Sequence, residues 1–383
     1  MSVSKLLLEN AVEWRKELHR YPELGFQEVK TSRRVAELLE SFGISVDVGM
    51  AGTGVIGTLK NGEGPSIGLR ADMDALPMNE LGDVCHKSCN HGAMHACGHD
   101  GHTAILLATA KYLSENRHFK GTVYFIFQPA EENLGGARVM VEEGLFEKYP
   151  MSSVFGLHNW PGLPEGHVAV SDGAMMASLD TFKITLTGKS CHAAMPERGI
   201  DPIVCSSELV LALQSIVSRR LSPLDSAVVS VTQINGGEAI NIVPETVVLE
   251  GTYRCLDTKV QEKVKMLIGE ISSGVCATHG VELNMEFFDG YIATTNNEEQ
   301  AKHVLDVAVN SFGESRVHWN LPSSMASEDF CFMLEKCPGA YFWLGADSEF
   351  PSKPLHNAYY DFNDNIIEVG IEMWCGLVEK LLK

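Results

Sequence analysis

The chain has 383 residues, with 50 acidic and 30 basic side chains and a formal net charge of −20. This length favours two domains, each with a core large enough to fold without disulfide bonds. The negative charge argues against nucleic acid and anionic membranes as partners, because phosphate groups are repelled on average. The ten cysteines have no regular spacing, and Glu9 interrupts an early apolar run that is too short for a signal peptide. No apolar stretch reaches the roughly 18 residues of a membrane span, so we expect a cytoplasmic protein with reduced thiols.

The first part of the chain is expected to be helical and then to change to strands. In the first 45 residues apolar side chains recur at helical spacing, and Gly43 is a suitable C-cap before the strand ISVDV. The stretch GTGVIGTLKNGEGPSIGLRADMD follows. It predicts a β-hairpin, because β-branched residues flank the turn residues Asn61 and Gly62.

Strands and helices then alternate. GHTAILLATAKYLSEN and GGARVMVEEGLF have helical patterns, whereas GTVYFIFQ, SSVFGLHN and AYFWLG are typical of buried strands. An amphipathic helix, NDNIIEVGIEMWCGLVEKLLK, closes the chain. This alternation predicts an α/β layer with a mostly parallel sheet.

A segment of different character interrupts this alternation. Its elements follow the order βαββαβ, from the strand DTFKITLTGKS to the strand VELNMEFFD. This order is ferredoxin-like, with two helices on one face of an antiparallel sheet. We therefore expect an inserted α+β domain at 177–290 within a discontinuous α/β domain formed by 1–176 and 291–383.

The stretch HACGHDGHTA contains a dense group of polar residues, namely His95, Cys97, His99, Asp100 and His102. Thiolate and imidazole are the ligands that borderline-soft metals such as zinc prefer. A closed structural site would use four such side chains, for example Cys85 and Cys89 with Cys97 and His99. A catalytic site would need a carboxylate and an open position from elsewhere in the chain.

Other segments offer the missing ligands at predicted strand ends. SIGLRADMD delivers Asp72 and Asp74, GTVYFIFQ is followed by Glu131 and Glu132, and SSVFGLHN ends near His158. In open α/β sheets, ligands bind beyond the carboxyl ends of the strands. Successive side chains of an extended chain point to opposite faces, so the two glutamates can share one site only if the backbone turns there. The convergence of these segments with the Cys97 and His99 segment favours an open metal site.

Several motifs together resemble one enzyme family. They are HRYPELGFQE, RADMDALP, HACGHDGHTA, FQPAEE, GLHN, GKSCHAAMPERGIDP, NIVPE with GTYR, and SEDF. The matches run in order from residue 19 to about residue 360, where PLHNAYYD lies. They resemble the di-metal aminoacylase and carboxypeptidase superfamily, in particular its amidohydrolase branch of hippurate hydrolase, indole-3-acetyl-amino-acid hydrolase and N-acetyldiaminopimelate deacetylase. The resemblance implies a zinc-peptidase-like α/β domain interrupted by a ferredoxin-like lid or dimerisation domain.

The resemblance also implies a set of metal ligands, which are Cys97, His99, Glu132, His158 and His356 in PLHNAYYD. One thiolate, one carboxylate and three imidazoles can hold two divalent ions with a bridging water. Such a set admits zinc, cobalt, nickel or manganese.

The resemblance assigns further roles to residues of the other motifs. Glu131 is the expected general base, and Asp74 would orient a metal ligand. His192 would reach the substrate carbonyl, across a dimer interface in a homodimer formed through the inserted domain. Asn241 and Arg254 would hold the substrate, since the planar guanidinium of Arg can bind both oxygens of a carboxylate.

The implied activity is a metal-dependent hydrolysis of the amide bond in N-acyl-amino acids, through attack of a metal-bridging hydroxide. A metallo-dipeptidase or carboxypeptidase acting on small peptides is the alternative. A binding module with structural zinc is a third hypothesis, but it leaves PAEE, GLHN and His356 unexplained. Cys85 and Cys89 lie where the family has a loop shaped by the substrate, so the acyl group and the amino acid stay open.

Overall fold

The protein is described by a computed structural model that covers residues 3–132, 134–348 and 352–383. It divides into two compact units. The first contains the described residues up to Met175, with Thr295–Pro322 and Asp329–Lys383. The second contains Met176–Thr294 and Ser323–Glu328. Among the described residues, every helix is too short or too polar to cross a lipid bilayer.

The α-helices of the described residues, numbered in chain order, are α1 Lys5–Arg20, α2 Val29–Ser41, α3 His99–Glu115, α4 Gly136–Glu142, α5 Leu145–Lys148, α6 Pro202–Leu213, α7 Thr258–His279, α8 Glu298–Phe312, α9 Cys331–Lys336 and α10 Ile367–Leu381. Several begin with side-chain caps. Asp201 accepts hydrogen bonds from the first backbone N–H groups of α6, and Asp257 does the same for α7. Such caps satisfy donors that have no partner within the helix.

The strands are β1 Ser45–Met50, β2 Gly54–Asn61, β3 Ser66–Asp72, β4 Gly121–Gln128, β5 Ser153–Pro164, β6 Val168–Val170, β7 Gly173–Met176, β8 Leu179–Thr187, β9 Cys191–His192, β10 Ala227–Gly236, β11 Ile242–Val243, β12 Thr246–Cys255, β13 Glu282–Tyr291, β14 Thr294–Asn296, β15 Val317–Trp319 and β16 Gly339–Asp347. The predicted strands ISVDV, GTVYFIFQ and AYFWLG correspond to β1, β4 and β16. Their prediction from sequence is confirmed.

The first unit is built on an eight-stranded sheet with the order β1-β2-β4-β3-β5-β16-β6-β15. Its centre, β4-β3-β5-β16, is parallel, whereas β1, β2 and β4 pair antiparallel at one side. Phe125, Phe155 and Phe342 of the central strands are fully buried. Burial on both faces is typical of parallel strands covered by helices. The predicted α/β class with a mostly parallel sheet is confirmed.

The predicted hairpin around Asn61 and Gly62 is wrong. The strands on either side of this turn, β2 and β3, do not pair with each other, because β4 lies between them. β4 pairs antiparallel with β2 and parallel with β3. The turn residues correctly indicate a chain reversal, with Gly62 at φ 79°. A reversal specifies only a change of direction, and the link to Ser66 is long enough to span two strand spacings of about 4.8 Å each.

The helical pattern predicted for the first 45 residues is divided between two helices. Tyr21–Glu28 separates α1 from α2, because Pro22 has no N–H group and restricts the residue before it. Within this segment Leu24 pairs with Ala75 in an isolated bridge. Gly43 adopts φ 74° after α2, as expected for a residue that ends a helix.

Two further element boundaries differ from the prediction. GGARVMVEEGLF forms two short helices, α4 and α5, since Gly144 adopts φ 87° between them. The strand predicted for SSVFGLHN does not end with this stretch, because β5 continues to Pro164 in parallel pairing with β16. His158 and Asn159 therefore lie within a strand.

The second unit has a four-stranded antiparallel sheet with the order β10-β12-β8-β13. Its core joins Phe182 and Val247 of the sheet to Leu209 of α6 and Leu267 of α7. The element order β8-α6-β10-β12-α7-β13 is βαββαβ, as the sequence predicts. The ferredoxin-like architecture is therefore confirmed for this segment.

Candidate metal centre

The topology of the first unit brings three polar segments to one edge of its sheet. β3 ends at Asp72 and β4 ends at Gln128, and these strands are parallel neighbours. Asp74 and Glu131 follow the two strand ends, while His99 is the first residue of α3. The carboxyl ends of parallel strands form the common binding edge of α/β sheets. These segments can therefore build one site.

The CGHD segment enters α3 through a left-handed glycine. Gly98 has φ 92°, and a Cβ atom there would collide with the side chain of Asn159. Only glycine fits both the conformation and the space. The turn leaves Cys97 and His99 buried on either side of it. Cys97 Sγ lies 3.4 Å from Nε2 of His158.

The backbone turns just before the two adjacent glutamates. Ala130 adopts φ 54°, a left-handed conformation that is uncommon for a residue other than glycine. As a result, ligand atoms of Glu131, Glu132 and His99 all lie within 4.8 Å of one another. The two glutamates thus face one site, as the sequence argument required.

Two buried carboxylates hold this turn through its backbone. Glu28 Oε1 accepts a hydrogen bond from the N–H group of Ala130 at 2.8 Å, and Asp74 Oδ2 accepts one from that of Glu132 at 2.9 Å. Asp74 Oδ1 also lies 3.2 Å from Nδ1 of His99. Hydrogen bonds of this kind orient metal-binding side chains. Asp74 therefore contacts the candidate ligand His99, as its expected orienting role requires, and also the backbone of Glu132.

His356 joins the group from the segment before α10. Its Nε2 lies 3.1 Å from Oε1 of Glu132, and its side chain is 52% exposed. The residue has φ 60°, and its backbone N–H donates to the carbonyl of Ala96 at 2.8 Å. This bond ties the His356 segment to the CGHD segment despite the unfavourable backbone conformation.

All the predicted ligands belong to overlapping groups whose donor atoms lie within 4.8 Å of one another, namely Cys97-His99-His158, Cys97-Glu132-His356 and His99-Glu131-Glu132. The donor set of thiol, imidazole and carboxylate suits transition metals. Nε2 of His99 is buried and has no hydrogen-bond partner among the described residues. Such an atom costs free energy unless it binds something, so the residues present fit divalent ions.

The electrostatics of the cluster favour a cation. Burial disfavours a charged imidazole, but neighbouring carboxylates, Asp72 foremost, outweigh it and raise the pKa of His99 to about 10. Burial, together with Glu132 and Glu131, raises the pKa of the Cys97 thiol. Positive charge at this position is therefore attracted by several buried carboxylates.

A second buried layer of the site joins Asp72, His102 and Asn159, none of which is among the metal ligands that the resemblance implies. His102 Nδ1 lies 2.6 Å from Oδ1 of Asp72, and its Nε2 lies 2.7 Å from Oδ1 of Asn159. Asp72, His99 and His102 form another group with donor atoms within 4.8 Å. The available signal was spacing, because His102 follows His99 by three positions and so shares its face of α3.

The remaining predicted residues lie in the second unit. His192 in β9 pairs with Ile242 in β11, and the N–H group of Ala193 donates to the carbonyl of Asn241 at 2.9 Å. His192 and Asn241 are thus near neighbours, and both are exposed. Arg254 is half-buried in β12 and donates to the carbonyl of Met325 at 3.1 Å.

The two extra cysteines do not resemble ligands of a closed zinc site. Cys85 and Cys89 are exposed, whereas Cys97 is buried. Cys85 Sγ lies 3.7 Å from Nδ1 of His86, and Cys89 Sγ lies 3.9 Å from the carbonyl of Lys87. This arrangement gives no support to a structural zinc held by Cys85 and Cys89 with the CGHD residues.

The fold and the cluster together define a candidate metalloenzyme of the zinc-peptidase architecture. The family model described as peptidase family M20/M25/M40 matches residues 68–380. The chain belongs to this family.

Individual relatives match along nearly the whole chain. This chain is 41% identical over 370 residues to the hippurate hydrolase of Campylobacter jejuni, with 96% of each chain covered. It is 36% identical over 375 residues to the N-acetylcysteine deacetylase of Bacillus subtilis, with 97% of each covered. It is also similar to the crystal structure of a dinuclear metal-binding peptidase of the M20 family from Bacillus subtilis. That comparison has a TM-score of 0.86 and 32% identity and covers 99% of each chain.

Proposed function

We propose that this protein is a metal-dependent amidohydrolase that cleaves the amide bond of N-acyl-amino acids. The observation that carries the proposal is the convergence of Cys97, His99, Glu132, His158 and His356 around Glu131. The substrate class is supported by the names of the hippurate hydrolase and N-acetylcysteine deacetylase to which the chain is similar.

The converging thiol, imidazoles and carboxylate of Glu132 would hold two divalent ions, a number that is supported by the dinuclear peptidase of Bacillus subtilis. When bound, such ions lower the pKa of water and polarise a carbonyl group. The donor set is compatible with manganese, zinc, cobalt or nickel.

Glu131 is the general base of the reaction. Its carboxylate accepts a proton from the water that attacks the scissile carbonyl, and then passes a proton to the amine as the C–N bond breaks. Positioned proton transfer of this kind contributes roughly 10²- to 10⁴-fold to the rate. Glu131 Oε1 accepts the backbone N–H of Asp329 at 3.3 Å, which holds the carboxylate in place. Asp74 orients His99 through the contact with its Nδ1.

His192 stabilises the carbonyl oxygen as it gains negative charge. Its Nδ1 accepts the N–H group of Ala194 at 3.0 Å, so the neutral imidazole carries its proton on Nε2. This N–H group can donate to the oxyanion. Arg254 and Asn241 bind the free carboxylate and a polar group of the amino acid, for which the bidentate guanidinium is suited.

The enzyme works as a cytoplasmic homodimer that forms through the second unit, with no nucleic acid or membrane as partner. The exposed side chains of Val204, Leu211 and Met266 in that unit support a protein interface. The ten cysteines are all free thiols, which supports a reducing compartment. Light scattering at several protein concentrations tests the dimer, and a monomer throughout would contradict it.

Amine release tests the activity itself. The protein is stripped of metal, reloaded with manganese, zinc, cobalt or nickel, and assayed on N-acetyl, N-benzoyl and N-indoleacetyl amino acids. Metal-dependent release supports the proposal and identifies the preferred acyl group. The word peptidase in the name of the Bacillus structure favours small peptides as the second candidate substrate class. Release from free-amine dipeptides, with none from N-acyl-amino acids, would establish that alternative.

A further inference from the structure

Asp329, in the SEDF motif, is a buried carboxylate to which the proposed mechanism gives no chemical step. It lies in the first unit just before α9 and is 0% exposed. Burying a carboxylate is costly unless it is paired and hydrogen-bonded. Its partners therefore indicate what the residue does.

The carboxylate of Asp329 connects the two ends of one loop. Gln128, the last residue of β4, donates from Nε2 to Oδ1 at 2.7 Å and to Oδ2 at 2.9 Å. Ala137, in the first turn of α4, donates its backbone N–H to Oδ2 at 2.9 Å. The loop between these residues carries Glu131 and Glu132. One side chain thus fixes both ends of the segment that presents the base and a metal ligand.

The backbone of Asp329 contacts the base directly. Its N–H group donates to Oε1 of Glu131 at 3.3 Å. A single residue therefore restrains the loop ends through its side chain and the reacting carboxylate through its main chain. A carboxylate that accepts a proton must stay within hydrogen-bond reach of its donor, so a small displacement of this loop reduces the rate.

A buried arginine extends the connection to Asp72, which lies beside the candidate ligand His99. Arg70 Nη2 lies 3.1 Å from Oδ1 of Asp329, and its Nη1 lies 2.8 Å from Oδ2 of Asp72. Its Nε donates to Oε1 of Gln128 at 2.7 Å. Asp72 in turn lies 3.8 Å from Nε2 of His99. The chain of ion pairs and hydrogen bonds thus spans from a ligand of the cluster to the base.

We infer that Asp329 is a positioning residue that sets the location of Glu131, by clamping Gln128 and Ala137 on either side of the loop that carries the base and by hydrogen-bonding the base. The inference deepens the proposed function and rests on it for the role of Glu131. It predicts that loss of the clamp affects the chemical step and the geometry of Glu132 more than it affects substrate binding.

The chain offers a matched control in the second unit. Asp180 is 3% exposed, accepts the backbone N–H of Gly290 at 2.9 Å and accepts Nε2 of Gln261 at 2.6 Å. It thus makes the same kinds of bonds as Asp329, one to a backbone N–H group and one to a glutamine side chain. Asp180 has no part in the proposed reaction.

The first test compares Asp329→Asn with Asp180→Asn at equal metal loading. For Asp329→Asn we expect kcat to fall by about 10- to 100-fold, as for other groups that orient metal-site residues, with KM changed less than kcat. Asp180→Asn should lower the thermal midpoint but leave kcat at the wild-type value. Wild-type kcat in folded Asp329→Asn would overturn the inference, as would an equal loss of kcat in the control.

A second variant keeps the inference testable if Asp329→Asn fails to fold. Gln128→Met removes one loop anchor, with a side chain of similar length, while retaining the ion pair between Arg70 and Asp329. The same moderate loss of kcat is expected. Wild-type kcat would show that the clamp has no effect on the base.

A readout independent of turnover separates this inference from the proposed function. Cobalt bound by the candidate ligands would absorb visible light according to its ligand geometry, to which Glu132 of the clamped loop would contribute. We expect the spectrum to shift in Gln128→Met and to match the wild type in Asp180→Asn. If the wild type releases no amine from any N-acyl-amino acid, the proposed function fails while the spectrum still decides on the clamp. An unchanged spectrum in Gln128→Met would overturn it.

Discussion

The candidate residues of the two units differ in how firmly the protein holds them. In the first unit His99, Asp74 and Glu131 are buried and joined by hydrogen bonds to neighbouring side chains and backbone groups. In the second unit His192 and Asn241 are exposed, and their contacts are mainly with the backbone of short strands. The first arrangement is preorganised, whereas the second leaves its donors accessible.

This difference suits the two roles proposed for these residues, which are metal binding with proton transfer and contact with the substrate. A metal site must keep its ligands and base in a fixed geometry without substrate, and buried polar networks supply that rigidity. Groups that only meet the substrate during the reaction need an accessible hydrogen-bond donor. The comparison predicts that substitutions in the first unit alter rate, metal geometry or stability, whereas those in the second alter activity with little effect on folding.

The largest effect is expected for Glu131→Gln. The amide has nearly the same shape but cannot accept the proton, so kcat should fall by about 10²- to 10⁴-fold. Metal content, measured by elemental analysis, should equal that of the wild type because Glu132 and the other proposed ligands are retained. A substantial residual rate would remove Glu131 from the role of base.

The next largest effect is expected for His192→Ala. Removing one donor to a developing oxyanion costs about 10²- to 10³-fold in kcat. Because the side chain is exposed, the thermal midpoint and metal content should be unchanged. If only KM rises, His192 contributes to substrate binding and not to stabilising the transition state. His192 would then not act in the chemical step, as Glu131 is proposed to do.

The third prediction concerns stability in the first unit. Arg15 is 1% exposed and binds Asp364 through Nε at 2.8 Å and Asp361 through Nη1 at 2.9 Å. Arg15→Met removes this buried cation and leaves Asp361 with Nε2 of His86 at 2.8 Å and Asp364 with Nζ of Lys16 at 3.9 Å. We expect the free energy of unfolding to fall by about 3 kcal/mol, the lower end for broken buried pairs, since both carboxylates retain some access to water.

Urea denaturation measures this change. Lys16→Met is the control, because Lys16 Nζ lies 3.9 Å from the same Asp364 but is partly exposed. It should change the unfolding free energy by less than about 1 kcal/mol. Equal effects of the two substitutions would show that the burial of Arg15 adds nothing to the free energy of unfolding.

The smallest effect is expected for an exposed ion pair of the second unit. Arg220 Nη2 lies 3.3 Å from Oε2 of Glu270, and both side chains are about half exposed. A double-mutant cycle with Arg220→Ala and Glu270→Ala should give an interaction free energy below about 1 kcal/mol that decreases with added salt. An interaction free energy as large as the loss expected for Arg15→Met would contradict the contrast between buried contacts of the first unit and exposed contacts of the second.

Element type and site chemistry were predictable where a local signal existed. The buried strand GTVYFIFQ, the helix beginning at His99 and the βαββαβ order follow from periodicity and turn residues. The pairing of β2 and β3 was not predictable from the Asn61-Gly62 turn, because a turn does not encode which strand inserts between its neighbours. Likewise, no local signal indicates that Asp329 binds Gln128 and Ala137, which lie about 200 positions earlier.

By itself, the sequence determined the class of the fold, the inserted segment and the residue types of a metal centre. These depend on local periodicity and on motifs whose side chains have defined ligand chemistry. Only the tertiary structure decided which groups meet. Ala130 in a left-handed conformation brings Glu131 and Glu132 to one site, and the Arg70-Asp329 pair joins distant segments around them. Such contacts arise from the packing of strands and loops that are far apart in the chain, where chain order carries no distance information.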